Sequence, residues 1–173
     1  SVDAVITDPP YPGAIRSYGE FTEDDWLAMT KDCVIQMRRI LRPRGSCVLI
    51  VQPNSLHVGQ MRAWVWDFMS WACRNWNVVQ DVYWWNYTPF PTVHANRDNG
   101  LMRPSVKYCI WLGDADCYRD QSAVLWRASE AMKHVDTNDR ALHRYPSGGT
   151  KRSARTLDVV LERGGSTPIN LLP

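Results

Sequence analysis

Four consecutive residues, Asp8, Pro9, Pro10 and Tyr11, close an apolar run in the stretch AVITDPPYPG, residues 4–13. Each proline fixes a backbone torsion and removes a backbone donor, and Pro9 pushes Asp8 out of the helical region. What remains is a stiff array of acceptors: the Asp8 carboxylate and backbone carbonyls whose direction is set by the ring that follows. Such an array suits an amine. An exocyclic NH2 on a nucleobase donates two hydrogen bonds, one to a carboxylate and one to a carbonyl. Accepting both localises the nitrogen lone pair and turns a poor, conjugated nucleophile toward an electrophile. Tyr11 adds a flat surface on which a base can stack, a contact worth on the order of 1–3 kcal/mol. The plainer alternative is a strand ending in a polyproline turn, with Asp8 capping a neighbouring backbone and Tyr11 packing. A position after a buried strand and before a helix favours the chemical reading.

The elements that must hold this array can be read from hydrophobic periodicity. Residues 2–7, VDAVIT, predict a strand buried on both faces, as parallel sheets require. Thr22 to Asp25 have the spacing of a capping box, and Trp26, Met29, Cys33, Met37, Ile40 and Leu41 then recur at helical spacing until Pro43 and Gly45, which predicts a helix over 23–41. GSCVLIVQP, residues 45–53, predicts a second buried strand. A second helix is expected over 57–75, with its stripe at Met61, Trp64, Val65, Phe68, Met69 and Ala72 and with Trp66 off that stripe. Two more strands are expected at 77–87 and 105–113, joined by a polar, proline-marked loop. Strand and helix alternation predicts an α/β fold: a doubly wound, mostly parallel sheet with an antiparallel edge hairpin. In open sheets of this kind ligands bind beyond the carboxyl ends of the strands, which is where residues 8–11 lie. After Gly113 the pattern weakens, with a helix expected over 120–134 and no clear periodicity in 136–167.

Length and composition suit a folded chain: 173 residues, 45% hydrophobic and 22% charged, argue for a real core and against disorder. A formal net charge of +2 neither demands nor excludes a polyanionic partner. No apolar run approaches the roughly 20 residues that span a bilayer and no signal-peptide pattern opens the sequence, so a cytoplasmic protein without a membrane partner is expected. The five cysteines form no CxxC pair and four lie in apolar segments, so buried reduced thiols are expected. The four histidines have no ligand spacing, and no metal is expected. Nine tryptophans are unusual for this length, and each is either buried area or a stacking surface. Trp84 and Trp85 point to opposite faces of a strand; core packing is the reading favoured for both, with one of them beside a base pocket as the alternative.

The TDPPY stretch resembles the hallmark of the amino-methyltransferases of DNA, which move a methyl group from S-adenosylmethionine to the exocyclic nitrogen of adenine or cytosine. LRPRGSCVLIV is similar to the helix end and strand that follow in that family, and DVYWWNYTPFP and RPSVKYCIWLGDADCY to the strand and hairpin forming the far wall of the target-base pocket. The resemblance covers residues 1 to about 120. It implies a Rossmann-like fold, S-adenosylmethionine as cofactor, double-stranded DNA as partner and a base flipped out of the duplex. It further implies that Asp8 and the Pro9 carbonyl hold the amino group on the frame set by Pro10, that Tyr11 stacks on the ring, and that Thr7 and Asp8 border the cofactor. An aspartate at the head of the motif favours adenine, with cytosine open.

One family feature is missing from the sequence. The Phe-x-Gly-x-Gly loop that cradles the cofactor does not occur: Phe21, Phe68 and Phe90 precede Thr22, Met69 and Pro91. In a permuted class of the family the catalytic motif comes first and the glycine loop last. The abrupt start and end of the sequence therefore lead to the expectation of an excised catalytic half, residues 1–119, followed by a target-recognition region, residues 120–173. Within residues 140–163, Arg140, Arg144, Lys151, Arg152, Arg155 and Arg163 outnumber Asp158 and Glu162. Arg144, Lys151, Arg152 and Arg155 suit phosphate contacts, with a solvated surface loop as the alternative. Lys107 and Arg103 could reach a phosphate or the cofactor carboxylate, or be surface side chains. A nucleic-acid-binding module without activity, RNA as substrate, and a homodimer remain open at this stage.

Overall fold

A computed structural model describes residues 1–15, 17, 19–89, 94–95, 97–125, 162–165 and 168–172. Along the chain it runs β1 (Val2–Thr7), α1 (Glu23–Ile40), β2 (Leu41–Val51), a small hairpin of β3 (Ser55–His57) and β4 (Gln60–Met61), α2 (Trp64–Asn75), β5 (Val78–Trp85), β6 (Val106–Gly113) and β7 (Leu171–Leu172). These elements fall in one compact unit, Ser1–Tyr118 with Asn170–Pro173, and Arg119–Ile169 form a second. Of the second unit, the described residues include a 3-10 turn at Ser122–Val124. Residues 126–134 of the expected helix, and Arg144, Lys151, Arg152 and Arg155, lie outside the described residues.

The main sheet has the order β1-β2-β6-β5-β7. β1 pairs parallel with β2 and β5 with β7, while β6 is antiparallel to both β2 and β5. Only β6 is reversed, so the α/β fold with a mostly parallel sheet holds, and the β5–β6 hairpin forms one side of it with the two-residue β7 outside. In β2, buried Cys47, Leu49 and Val51 alternate with half-buried Val48 and Ile50. Their partners Leu112 and Ile110 complete a buried face, on which both helices pack through Trp26, Val34, Trp64, Val65, Phe68 and Ala72.

The structure corrects several details. β1 is not buried on both faces: Ile6 is 69% exposed, because among the described residues β1 pairs only on its β2 side. α1 begins where expected, with the Thr22 hydroxyl accepting from the Asp25 N–H at 3.1 Å, but its buried line is Trp26, Thr30 and Val34. Cys33 and Ile40 are exposed, since the helix faces both β2 and α2 and its covered stripe is turned by about one residue from the one read in sequence. α2 begins at Trp64, because residues 55–61 form the small hairpin around Gly59, whose φ of +77° favours glycine. Met61 is accordingly exposed, as is Trp66. Neither Trp84 nor Trp85 is core; both are exposed by more than two fifths.

Three of the five cysteines, Cys47, Cys109 and Cys117, are buried, while Cys33 and Cys73 are exposed. Burial pushes the Cys47 thiol up to about 12, which keeps it protonated and unreactive. Alkylation of the native chain at about pH 8 is expected to modify Cys33 and Cys73 quickly and Cys47 only after unfolding. Peptide mapping reads the order, and early label on Cys47 would contradict this packing.

Candidate active site

The turn that follows β1 is held from inside the molecule by side chains of three elements. The Trp26 indole N–H, from a fully buried residue of α1, donates to the Pro10 carbonyl. The Asn54 side-chain amide, just past β2, donates to the Pro12 carbonyl at 2.8 Å. Asn54 is itself oriented by the Trp64 indole N–H, from the first turn of α2, which donates to its Oδ1 at 2.8 Å. The two indoles meet edge to face with centroids 4.4 Å apart, an arrangement favoured by the ring quadrupole. Gly13 closes the turn with φ of +72° and donates to the Phe21 carbonyl at 3.0 Å. A Cβ there would lie 2.7 Å from the Arg62 guanidinium, which is paired with Glu23 at 3.1 Å, so the position has room and torsion for glycine only.

These bonds divide the carbonyls of the motif into two kinds. Those of Pro10 and Pro12 are spent on the scaffold. The Pro9 carbonyl has no hydrogen-bond partner among the described residues, and the Asp8 side chain is 51% exposed beside it. The two groups that the sequence singled out as acceptors for an amine are thus adjacent, on a turn fixed at Pro10 and Pro12.

Tyr11 points inward. Its ring packs against Trp64 at a centroid distance of 5.9 Å, and its buried hydroxyl makes no well-formed hydrogen bond. Burial first, then the neighbouring Asp8 carboxylate, push that hydroxyl well above the ordinary tyrosine value, with the Gln52 backbone offsetting part of the rise. The hydroxyl therefore stays protonated and faces Asp8 as a donor. From the other side Lys107 of β6 reaches Asp8, its Nζ 3.5 Å from Oδ2. Thr7, the last residue of β1, is registered against Leu49 of β2 and is half-buried.

Beyond the ends of β5 and β6 lies an open cavity of about 690 Å³, lined among others by Trp85, Tyr87, Arg97, Met102, Arg103 and Ser105. Asp8 and Tyr11 do not line it; its lining residue Ser105 lies two positions before Lys107, which reaches Asp8. Its rim is tied down by Arg103, which donates to the Pro89 carbonyl at 3.0 Å, and by the Gln52 side chain, which donates to the Pro104 carbonyl at 3.2 Å.

Of the residues expected at the site, Asp8, Pro9, Pro10 and Tyr11 stand together on this turn; sequence reading missed Asn54, Trp64 and Trp26 as its supports and Lys107 as the partner of Asp8. A signal for Asn54 was present: it follows Pro53 at the end of a predicted strand, at the same sheet edge as Asp8. For a methyl-donor cofactor, Thr7, Asp8 and the outward-facing Ile6 can form one wall, since the outer edge of β1 has no partner among the described residues. The glycine cradle that would form the rest does not occur in this sequence.

A family model described as DNA methylase matches residues 2–159. Among solved structures, PvuII DNA methyltransferase, cytosine-N4-specific, superimposes with a TM-score of 0.61 at 15% identity, covering 99% of this chain and 50% of that one. The chain thus spans about half the length of that structure. A Thermus thermophilus protein assigned as a DNA modification methylase, in complex with S-adenosyl-L-methionine, matches with a TM-score of 0.45 at 17% identity over 78% of this chain and 57% of that one. No curated protein matches by sequence.

The clamp and Tyr11 each lead to a measurable expectation. Asn54→Leu leaves the Pro12 carbonyl and the Trp64 N–H without partners, at about 1–3 kcal/mol for each orphaned group, so urea denaturation should show a loss of that order; unchanged stability would remove Asn54 from the clamp. Tyr11 is raised in the folded chain relative to an unfolded value near about 10, so the unfolded state releases its proton first. Its contribution is complete below about pH 10 and is lost as pH rises beyond it. Tyr11→Phe should flatten that alkaline decline in denaturation midpoint, and an identical slope in both proteins would place the decline elsewhere.

Proposed function

The chain belongs to the DNA methylase family, whose model spans residues 2–159, and we propose that it forms the base-holding part of an enzyme that methylates an exocyclic amino group of DNA. The observation that carries this reading is a pair of neighbouring acceptors, the partly exposed Asp8 carboxylate and the Pro9 carbonyl, on a turn whose Pro10 and Pro12 carbonyls are bonded to Trp26 and Asn54.

The target base leaves the duplex, because its amine cannot be approached inside the stack. It enters beside the cavity lined by Trp85 and Tyr87 and is held against the end of β1. One amine hydrogen goes to Asp8 and one to the Pro9 carbonyl, which draws the nitrogen lone pair out of conjugation. Pro10 keeps the frame rigid, and Tyr11 offers its ring as the stacking surface. Thr7 and Asp8 would border S-adenosylmethionine, which would supply the methyl group with cleavage of its carbon–sulfur bond and leave as the neutral thioether. As the nitrogen gains its bond to carbon it sheds one proton, which Asp8, already hydrogen-bonded to that nitrogen, is placed to accept and pass to water. Positioning rather than chemical activation supplies most of the acceleration. Asp8 at the head of the motif favours adenine over cytosine. Arg144, Lys151, Arg152 and Arg155 bind phosphates and fix register on the duplex.

Asp8→Ala in the full-length protein is expected to abolish methyl transfer and to leave duplex binding intact. Incubation with methyl-labelled cofactor and defined oligonucleotides, followed by nucleoside analysis, measures both the transfer and the base. Label in adenine supports the reading in full, and label on the cytosine amine corrects its base preference. Turnover by the Asp8→Ala protein, or a wild-type protein that binds duplex without transfer, would contradict it, the latter in favour of a binding module.

A further inference from the structure

Lys107 reaches the Asp8 carboxylate, and its side chain is held from two directions. It is registered across the β5–β6 ladder against Trp84, and its Nζ lies 5.3 Å from the centroid of the Trp84 ring. The same Nζ lies 3.5 Å from Asp8 Oδ2, with the lysine side chain 30% exposed. A lysine stem laid along an indole loses much of its rotamer freedom, and its ammonium gains attraction from the ring face. This also accounts for an exposed Trp84 on a sheet strand. Its ring covers no core; it supports a lysine.

We infer that Lys107 is a positioning residue for Asp8, holding one carboxylate oxygen so that the rest of the carboxylate faces the incoming amine. The inference rests on the reading of Asp8 as the amine acceptor. Without Lys107, an aspartate half-exposed at a strand end would sample several staggered rotamers, only some of which place an oxygen beside the Pro9 carbonyl. An ionised carboxylate has about four lone-pair sites on its two oxygens, so one ammonium contact leaves acceptors for the substrate. Misplacement of a reacting group costs up to about a hundredfold in rate.

The test uses the full-length protein with Lys107→Met, Lys107→Arg and Trp84→Leu, measuring single-turnover methyl transfer and duplex affinity across a salt series. Lys107→Met should slow transfer by about ten- to a hundredfold with duplex affinity and its salt slope unchanged. Lys107→Arg, which keeps the charge and the stacking on Trp84, should recover most of the lost rate, and Trp84→Leu should fall between. Transfer by Lys107→Met at the wild-type rate would overturn the inference. So would a loss confined to duplex affinity with a salt slope reduced by about one, which would make Lys107 a phosphate contact. If the wild type transfers no methyl group, the reading of Asp8 fails on its own. Crystal structures without DNA then decide on Lys107: one Asp8 rotamer in wild type and several in Lys107→Met support it, and the same single rotamer in both overturns it.

Discussion

The Pro10 and Pro12 carbonyls are bonded from below by groups that cannot move away, the indole of Trp26 and the amide of Asn54. Trp26 is fully buried between the helices and the sheet, and Asn54 is held in turn by the fully buried Trp64. The turn at the end of β1 is therefore part of the hydrophobic core in every respect except its upper surface. Two prolines restrict the backbone locally, but restricted torsions alone would leave the turn free to tilt as a unit. The Trp26 and Asn54 bonds remove that freedom and occupy the Pro10 and Pro12 carbonyls. A polar recognition surface has thus been built on an apolar foundation, with the orientation supplied by groups whose own removal would leave buried donors unpaired.

How much of this was legible in the sequence follows from the range of the interactions involved. The motif itself was readable because its chemistry is local: two prolines, an acid and an aromatic in a row constrain one another whatever surrounds them. The order of strands and helices was readable because β2, β5, β6 and α1 carry periodic apolar patterns. Longer-range features were not. The line of α1 that is buried depends on α2 as well as on β2, and hence Val34 rather than Cys33 faces inward. β1 has the apolar composition of a central strand but has one described neighbour, so Ile6 is exposed. The bonds from Trp26 and Asn54 join residues 16 and 42 positions apart, and the Lys107 contact spans 99. No periodicity encodes such pairs. Trp84 was misread as core for a related reason: an aromatic in a strand has the same sequence signature whether it covers apolar neighbours or a lysine stem.

On the proposed reading, the described residues supply the target side of the site more completely than the cofactor side. The target side has its acceptors, their supports and a neighbouring cavity lined by Trp85 and Tyr87. On the cofactor side stand only the end of β1 and its open outer edge, and the chain spans about half the length of the PvuII structure it resembles.

The central claim is that the Asp8 carboxylate and the Pro9 carbonyl jointly receive the amino group of an extruded base. A crystal structure of the full-length protein with its target duplex and an unreactive cofactor analogue tests it most directly. The account predicts an exocyclic nitrogen within hydrogen-bonding distance of both oxygens, roughly 2.7–3.2 Å, with the Trp26 and Asn54 bonds to the turn intact. A base seated elsewhere, or one whose amino group meets neither acceptor, would contradict it.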